Sequence, residues 1–108
     1  MNRQFLSLIL IPVLGFALYW PNLSHGLTTW DDPDYLVENK AVNAFDLAGI
    51  FSQTTIGHYF PMTVLSFAID KRICGANPAP CAHFSNVALH VLNATLLVLV
   101  FANIFSFP

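Results

Sequence analysis

Two long apolar runs constrain this chain more than any other feature of its sequence. They cover residues 5–20 and 87–107. As helices they would rise about 24 Å and about 31 Å, against a hydrocarbon core of about 30 Å, so the first needs its N-terminal residues to extend it. We therefore expect an all-α membrane protein. Two transmembrane helices, over 1–20 and 83–108, would flank a loop over 21–82 that carries short amphipathic helices.

The composition supports a membrane protein. The chain is 56% hydrophobic and 9% charged, whereas a soluble domain carries about 25% charged residues. Its net charge of −2 is too small to indicate a nucleic-acid partner or an acidic substrate. The first run ends at Tyr19 and Trp20 without a small-residue cleavage site, which favours an uncleaved helix with an interfacial belt over a signal peptide.

The chain stops directly after its second apolar run, with no Lys or Arg to anchor that end. We therefore expect an N-terminal piece of a longer protein, and a complete two-helix membrane protein is the alternative.

Three of the six carboxylates, Asp31, Asp32 and Asp34, lie within four positions just beyond the first run. Carboxylates crowded at the edge of a low-dielectric region are costly, because desolvation and mutual repulsion disfavour the charged form. One interpretation is a solvated turn, since Asp and Pro both form turns. The other is a general base with an orienting partner, or a divalent-cation site. The sequence otherwise indicates no cofactor.

The loop predicts three short helices. Pro33 fits the first turn of a helix, and Asp32 can cap it. A second helix start is expected at Asn43 and Asp46, and a third helix over 62–73. A polar stripe on the third helix is expected to face water or a cavity, and its members are Thr63, Ser66 and Asp70.

The second apolar run carries a polar stripe of its own. His83, Asn86, His90 and Asn93 recur at steps of three, four and three, which places them on one face of a helix. Hydrogen bonding between helices, typically worth about 0.6–2 kcal/mol per contact, is the favoured interpretation. A direct substrate or metal role is the alternative. Either role requires neighbouring helices.

The two cysteines and His58 allow more than one interpretation. Cys74 and Cys81 enclose six residues, which suits a disulfide in an oxidising compartment or two free thiols. A zinc site with His83 lacks a familiar ligand spacing. The stretch His58-Tyr59-Phe60-Pro61 combines an imidazole with two aromatic rings at the start of a helix. An interfacial aromatic cluster is favoured there over catalysis.

The order of these residues resembles the N-terminal region of polytopic GT-C glycosyltransferases. It is most similar to the tetratricopeptide-repeat-bearing membrane proteins that include the O-mannosyltransferases and their bacterial relatives. The likeness covers about residues 20–105. The stretches that carry it are Trp30-Asp31-Asp32 with Tyr35 and Asn39, Tyr59-Phe60-Pro61 continuing to Phe67, Gly75-Ala76-Asn77-Pro78, and His83-Phe84-Ser85-Asn86 continuing to Ala94. Many relatives have Arg at the position of Phe60, so a cation that could steady a donor phosphate is absent there.

The resemblance implies transfer of a sugar from a polyprenyl-phosphate donor to an acceptor hydroxyl on a protein or glycan. It implies a multi-pass integral membrane protein, which in a bacterium would lie in the inner membrane. The loop would be extracytoplasmic, and further transmembrane helices would follow. Asp31 would be the general base and Asp32 would orient the acceptor. Lys71 and Arg72 would meet the donor phosphate, and His58 would hydrogen-bond at the same surface.

Two other functions stay open. One is a non-catalytic membrane anchor for a tetratricopeptide-repeat interaction domain, and the other is an inactive truncated product. We expect the isolated 108 residues to have no transfer activity, because they cannot complete the transferase architecture.

Overall fold

The structure is a computed structural model that describes residues 3–105, with side chains from residue 6 onward. Its α-helices are α1 (Arg3–Tyr19), α2 (Lys40–Ala44), α3 (Leu47–Ser52), α4 (Pro61–Cys74) and α5 (Ala79–Ile104). A 3-10 turn covers Trp20–Ser24 and a π-helical turn covers Pro33–Val37. Within the described range no strand forms, so the all-α prediction is confirmed.

Two helical segments are long and apolar enough to cross a membrane, as the sequence predicts. They are Leu6–Ser24 and Ala79–Ile104. The second long helix begins at Ala79, whereas the sequence places its start at residue 83. Pro80 does not prevent this earlier start, because a proline in the first turn of a helix removes no hydrogen bond that the helix would otherwise make.

The chain forms two compact units. One contains the residues up to Asn22 together with those from Asn86 onward, and we call it the helix-pair unit. The other runs from Leu23 to Ser85, and we call it the loop unit.

Close packing joins the two helices of the helix-pair unit. Val87 and Val91 of α5 are 6% and 5% exposed. A methyl group added at Gly15 of α1 would lie 2.5 Å from Cγ2 of Val91, so the contact requires the small residue. Most large apolar side chains elsewhere in this unit are exposed.

The loop unit is built around α4. Seven buried residues form its core, and they are Leu36, Ala41, Val42, Ile50, Val64, Ala68 and Ala82. Val64 and Ala68 lie one turn apart on α4, so they share a face, and the small Ala68 is 0% exposed. The helices α2 and α3 and the π-helical turn all pack on α4.

Asn39 determines where α2 begins. Its side-chain Oδ1 accepts hydrogen bonds from the N–H groups of Ala41 and Val42, at 3.0 and 3.1 Å. This is an N-cap, which supplies an acceptor to helix N–H groups that have no intrahelical partner. The sequence prediction placed a helix start at Asn43, which instead lies inside α2, while α3 follows Asp46.

Two links join α4 to the first turns of α5 within the loop unit. Ser85 Oγ donates a hydrogen bond of 2.6 Å to Oδ1 of Asp70. One helical turn after Asp70 on α4 and one turn before Ser85 on α5, Cys74 and Cys81 form a disulfide. Asp70 is only 3% exposed, so this end of the predicted polar stripe faces protein and not water. Its Oδ2 atom has no hydrogen-bond partner among the described residues.

Candidate functional site

The predicted catalytic aspartates line one pocket of the loop unit, which we call the acidic pocket. Its volume is about 390 Å³, and its walls come from the segment before the π-helical turn, from that turn, and from the start of α4. The lining residues are Asp31, Asp32, Tyr35, Phe60, Thr63 and Phe67. The pocket therefore combines two carboxylates with three aromatic rings.

Asp32 is held in place by Thr28, four positions earlier in the chain. Its Oδ2 accepts hydrogen bonds from the backbone N–H of Thr28 at 2.6 Å and from the Thr28 hydroxyl at 3.0 Å. The π-helical turn does begin at Pro33, but Asp32 makes no capping hydrogen bond to it. The carboxylate is engaged with Thr28 instead, so its orientation in the pocket is fixed.

Asp31 has the opposite character. Asp31 is exposed, and its carboxylate makes no hydrogen bond or ion pair within the part of the chain that the structure describes. Its backbone is nevertheless restrained, because the Asp31 carbonyl accepts a hydrogen bond from the N–H of Tyr35 at 3.1 Å. The pocket thus has one fixed carboxylate and one that is free to bind a ligand or accept a proton.

Aromatic contacts shape the opposite wall. The rings of Tyr35 and Phe67 meet edge to face, with centroids 6.4 Å apart. The ring of Phe60 stacks on His58 with centroids 5.5 Å apart. His58 therefore contacts a wall of the acidic pocket from outside, and it is not itself among the lining residues.

A tight hairpin positions His58 behind this wall. The backbones of Thr55 and His58 exchange two hydrogen bonds of 2.9 Å each. Between them, Ile56 and Gly57 have φ of 50° and 76°. Positive φ at both central residues is the pattern of a type I′ turn, which Asn-Gly favours. A β-branched residue in this conformation costs on the order of 1–3 kcal/mol, so Ile56 is strained.

Lys71 and Arg72 are not brought to the acidic pocket. The Lys71 ammonium donates hydrogen bonds to the carbonyl oxygens of Leu36 and Val37, at 3.1 and 3.2 Å, and so closes the end of the π-helical turn. The Arg72 guanidinium carbon lies 5.4 Å from the ring centroid of Phe45. Both cations line a separate pocket of the loop unit. Their predicted role toward a donor phosphate stays a prediction.

The predicted polar stripe is divided between the two units. In the loop unit, His83 Nε2 lies 3.3 Å from the carbonyl oxygen of Gly26. In the helix-pair unit, Asn86, His90 and Asn93 are exposed. The His90 ring meets the ring of Tyr19 edge to face, with centroids 5.2 Å apart.

The described residues contain no group of three His, Cys, Asp or Glu side chains that could hold a metal ion. Asp31 and Asp32 are the only carboxylates on the acidic pocket. The third aspartate of the cluster, Asp34, lines a different cleft. The sequence cluster therefore divides between two cavities.

Two residues of the site were not identified from the sequence, namely Thr28 as the anchor of Asp32 and Phe67 as an aromatic wall. Thr28 lies in irregular structure four positions before Asp32, so no periodicity in the sequence indicated it. Phe67 falls one turn after Thr63, so the helical periodicity of α4 places both on the same face.

No protein-family model, curated protein or solved structure matches this chain.

Proposed function

We propose that this chain is the acidic-pocket portion of an integral-membrane glycosyltransferase. The enzyme would move a sugar from a polyprenyl-phosphate donor to an acceptor hydroxyl on the extracytoplasmic side. The observation that supports this most directly is the acidic pocket, in which a free carboxylate lies beside a fixed one. That arrangement suits a proton acceptor and an orienting group.

The proposed chemistry assigns a separate role to each aspartate. The acceptor hydroxyl donates a hydrogen bond to Asp31, and its oxygen attacks the anomeric carbon of the donor sugar. The bond between that carbon and the phosphate oxygen breaks, and the polyprenyl phosphate leaves with the electron pair. The acceptor proton passes to Asp31. Asp32, fixed by Thr28, orients the acceptor.

The aromatic residues of the site support a lipid-linked donor. Trp30, next to Asp31, is 85% exposed, and Phe60 on the pocket wall is 52% exposed. Exposed Trp side chains are typical of the membrane–water interface, where a polyprenyl phosphate carries its headgroup. A site at the membrane–water interface would reach the donor phosphate while the polyprenyl chain stays in the bilayer.

The helix pair would lie in the bilayer and contact further transmembrane helices. Asn86, His90 and Asn93 are exposed on an otherwise apolar helix. In hydrocarbon such groups require hydrogen-bond partners, and neighbouring helices are the usual source.

The test uses the full reading frame that contains this chain, in membranes, with a polyprenyl-phosphate-linked sugar. Asp31→Asn keeps the shape of the side chain and removes the base, so we expect transfer to fall by about 100-fold or more, the usual contribution of a positioned base. Membrane insertion should be unchanged.

Glu38→Gln is the matched control, since it changes an exposed carboxylate of the loop unit that does not line the acidic pocket. Retained turnover in Asp31→Asn would contradict the base assignment. Absence of transfer by the wild-type full-length protein would instead favour the membrane-anchor alternative.

A further inference from the structure

A second cavity of the loop unit has the composition of a ligand site, and we call it the polar cleft. Its volume is about 260 Å³, slightly below the roughly 300 Å³ at which sites for drug-sized ligands begin. It lies among α2, α3 and the hairpin. Its size suits one small ring.

Four polar side chains at this cleft are available to a ligand. They are Asp34, Lys40, Gln53 and Thr54. All four are exposed, and their side chains make no hydrogen bond or ion pair with other residues in the range that the structure describes. Together they supply a carboxylate, an ammonium, an amide and a hydroxyl, so both donors and acceptors are present.

The floor of the polar cleft is already ordered. Asn39 Nδ2 donates to the hydroxyl of Thr55 at 3.3 Å, while Asn39 Oδ1 caps α2. Tyr35 donates its hydroxyl hydrogen to the Thr55 carbonyl oxygen at 3.3 Å. Buried Ile50 and Val64 add an apolar surface. A ligand would therefore meet a preorganised floor, which reduces the entropy lost on binding.

Ile56 gives the cleft an exposed apolar edge at a conformational cost. It lines the polar cleft and is 49% exposed, although its φ of 50° suits Asn or Gly better. The strain thus places an apolar side chain beside free hydrogen-bonding groups. Strained residues that persist in folded proteins cluster at ligand sites.

This combination selects a class of ligand. One positive and one negative side chain offset each other, which disfavours a ligand with a large net charge. No aromatic ring lines the cleft within the described residues, which disfavours a stacked base. A neutral sugar ring presents alternating hydroxyl and C–H groups. That surface matches the polar side chains and the apolar edge of the cleft.

We propose that the polar cleft binds a neutral hexose unit of the acceptor. This inference rests on the proposed function for the role of the bound sugar. The acidic pocket and the polar cleft share the π-helical turn as a wall, because Tyr35 lines the first and holds Thr55 of the second.

The first experiment measures binding alone. The full protein in lipid nanodiscs is titrated with methyl glucopyranoside, methyl galactopyranoside and methyl mannopyranoside, and saturation-transfer NMR detects the bound sugar. We expect saturable binding of at least one glycoside. Gln53→Ala should weaken it roughly tenfold, because one ligand hydroxyl loses its hydrogen-bond partner. Asn77→Ala, which removes an exposed amide outside the cleft, should leave it unchanged.

Ile56→Asn separates binding from folding. Asparagine tolerates positive φ, so this variant should unfold at a higher temperature than wild type while binding the glycoside more weakly. Weaker binding in a more stable protein supports the proposal. Unchanged glycoside binding in both Gln53→Ala and Ile56→Asn, or no saturable binding by the wild type, overturns it.

Transfer assays distinguish this inference from the proposed function. Glycoside binding that survives in Asp31→Asn, with transfer lost, supports both. Binding by a wild-type protein that transfers no sugar supports the cleft and contradicts the transferase. Transfer without saturable glycoside binding leaves the transferase intact and overturns the cleft.

Discussion

The loop unit and the helix-pair unit are held together by different kinds of interaction. In the loop unit, specific polar contacts supplement a small apolar core, including the Asn39 cap, the Lys71 contacts to two carbonyl oxygens and the Cys74–Cys81 disulfide. In the helix-pair unit, two buried valines and one glycine form the described close packing, and most large side chains are exposed. The loop unit thus carries its own structural determinants, whereas the helix pair depends on what surrounds it.

The difference also bears on function. The acidic pocket and the polar cleft both lie in the loop unit, where hydrogen bonds fix side chains such as Asp32 and Asn39. Such fixed groups are what a binding or catalytic site requires. The helix-pair unit presents a polar stripe and apolar surface, which suit packing in a membrane.

Loss of the disulfide is expected to produce the largest effect on the loop unit. Cys74 and Cys81 are separated by 7 positions, and closing a loop of that size stabilises a fold by about 2.5 kcal/mol in the chain-entropy description. Cys74→Ser with Cys81→Ser should therefore increase hydrogen exchange in α4 and around the Asp70–Ser85 hydrogen bond. Hydrogen-exchange mass spectrometry of the protein in nanodiscs measures this.

Reduction of the wild-type protein should reproduce the double substitution, and the reductant should have no further effect on the double variant. Exchange in the α1 segment should stay unchanged. Equally faster hydrogen exchange in both units would contradict the distinction between them, because it would show that they unfold together.

Much of this contrast could be predicted from the sequence. The two apolar runs gave the two long helices, because length and hydropathy are local properties. Pro33 marked the start of a helical segment correctly, since proline is tolerated in a first turn, and the helix predicted over 62–73 is the observed α4. Asp31 and Asp32 line one pocket because they are adjacent in sequence, but adjacency did not extend to Asp34, which lines another cavity.

The features that depend on distant residues were not predicted. Asp70 was assigned to a polar stripe facing water or a cavity, and the sequence did not indicate its burial against Ser85, fifteen positions away. The sequence likewise did not indicate that the Lys71 ammonium donates to carbonyl oxygens more than thirty positions earlier. Periodicity gives the face of a helix on which a residue lies, but it does not identify what packs there.

Overpacking the helix pair is expected to produce the second largest effect. Gly15→Leu places a large side chain where even a methyl group would lie 2.5 Å from Val91 Cγ2. We expect destabilisation of about 2 kcal/mol, typical of overpacked sites, and faster exchange in α1. Ala17→Leu is the matched control, because it adds the same side chain at an exposed position of the same helix. Slower exchange in Gly15→Leu, or faster exchange of α4, would contradict the distinction between the units.

Loss of the Asn39 cap is expected to produce the smallest of these effects and the most local one. Asn39→Ala removes the acceptor of two N–H groups and the donor to Thr55, and a lost N-cap typically costs about 1 kcal/mol. Exchange at Ala41 and Val42 should accelerate most. Asn39→Asp restores the capping oxygen without the donor, so the amides of α2 should recover protection while the Thr55 side remains perturbed. If exchange at Ala41 and Val42 is as fast in Asn39→Asp as in Asn39→Ala, the cap does not determine the start of α2.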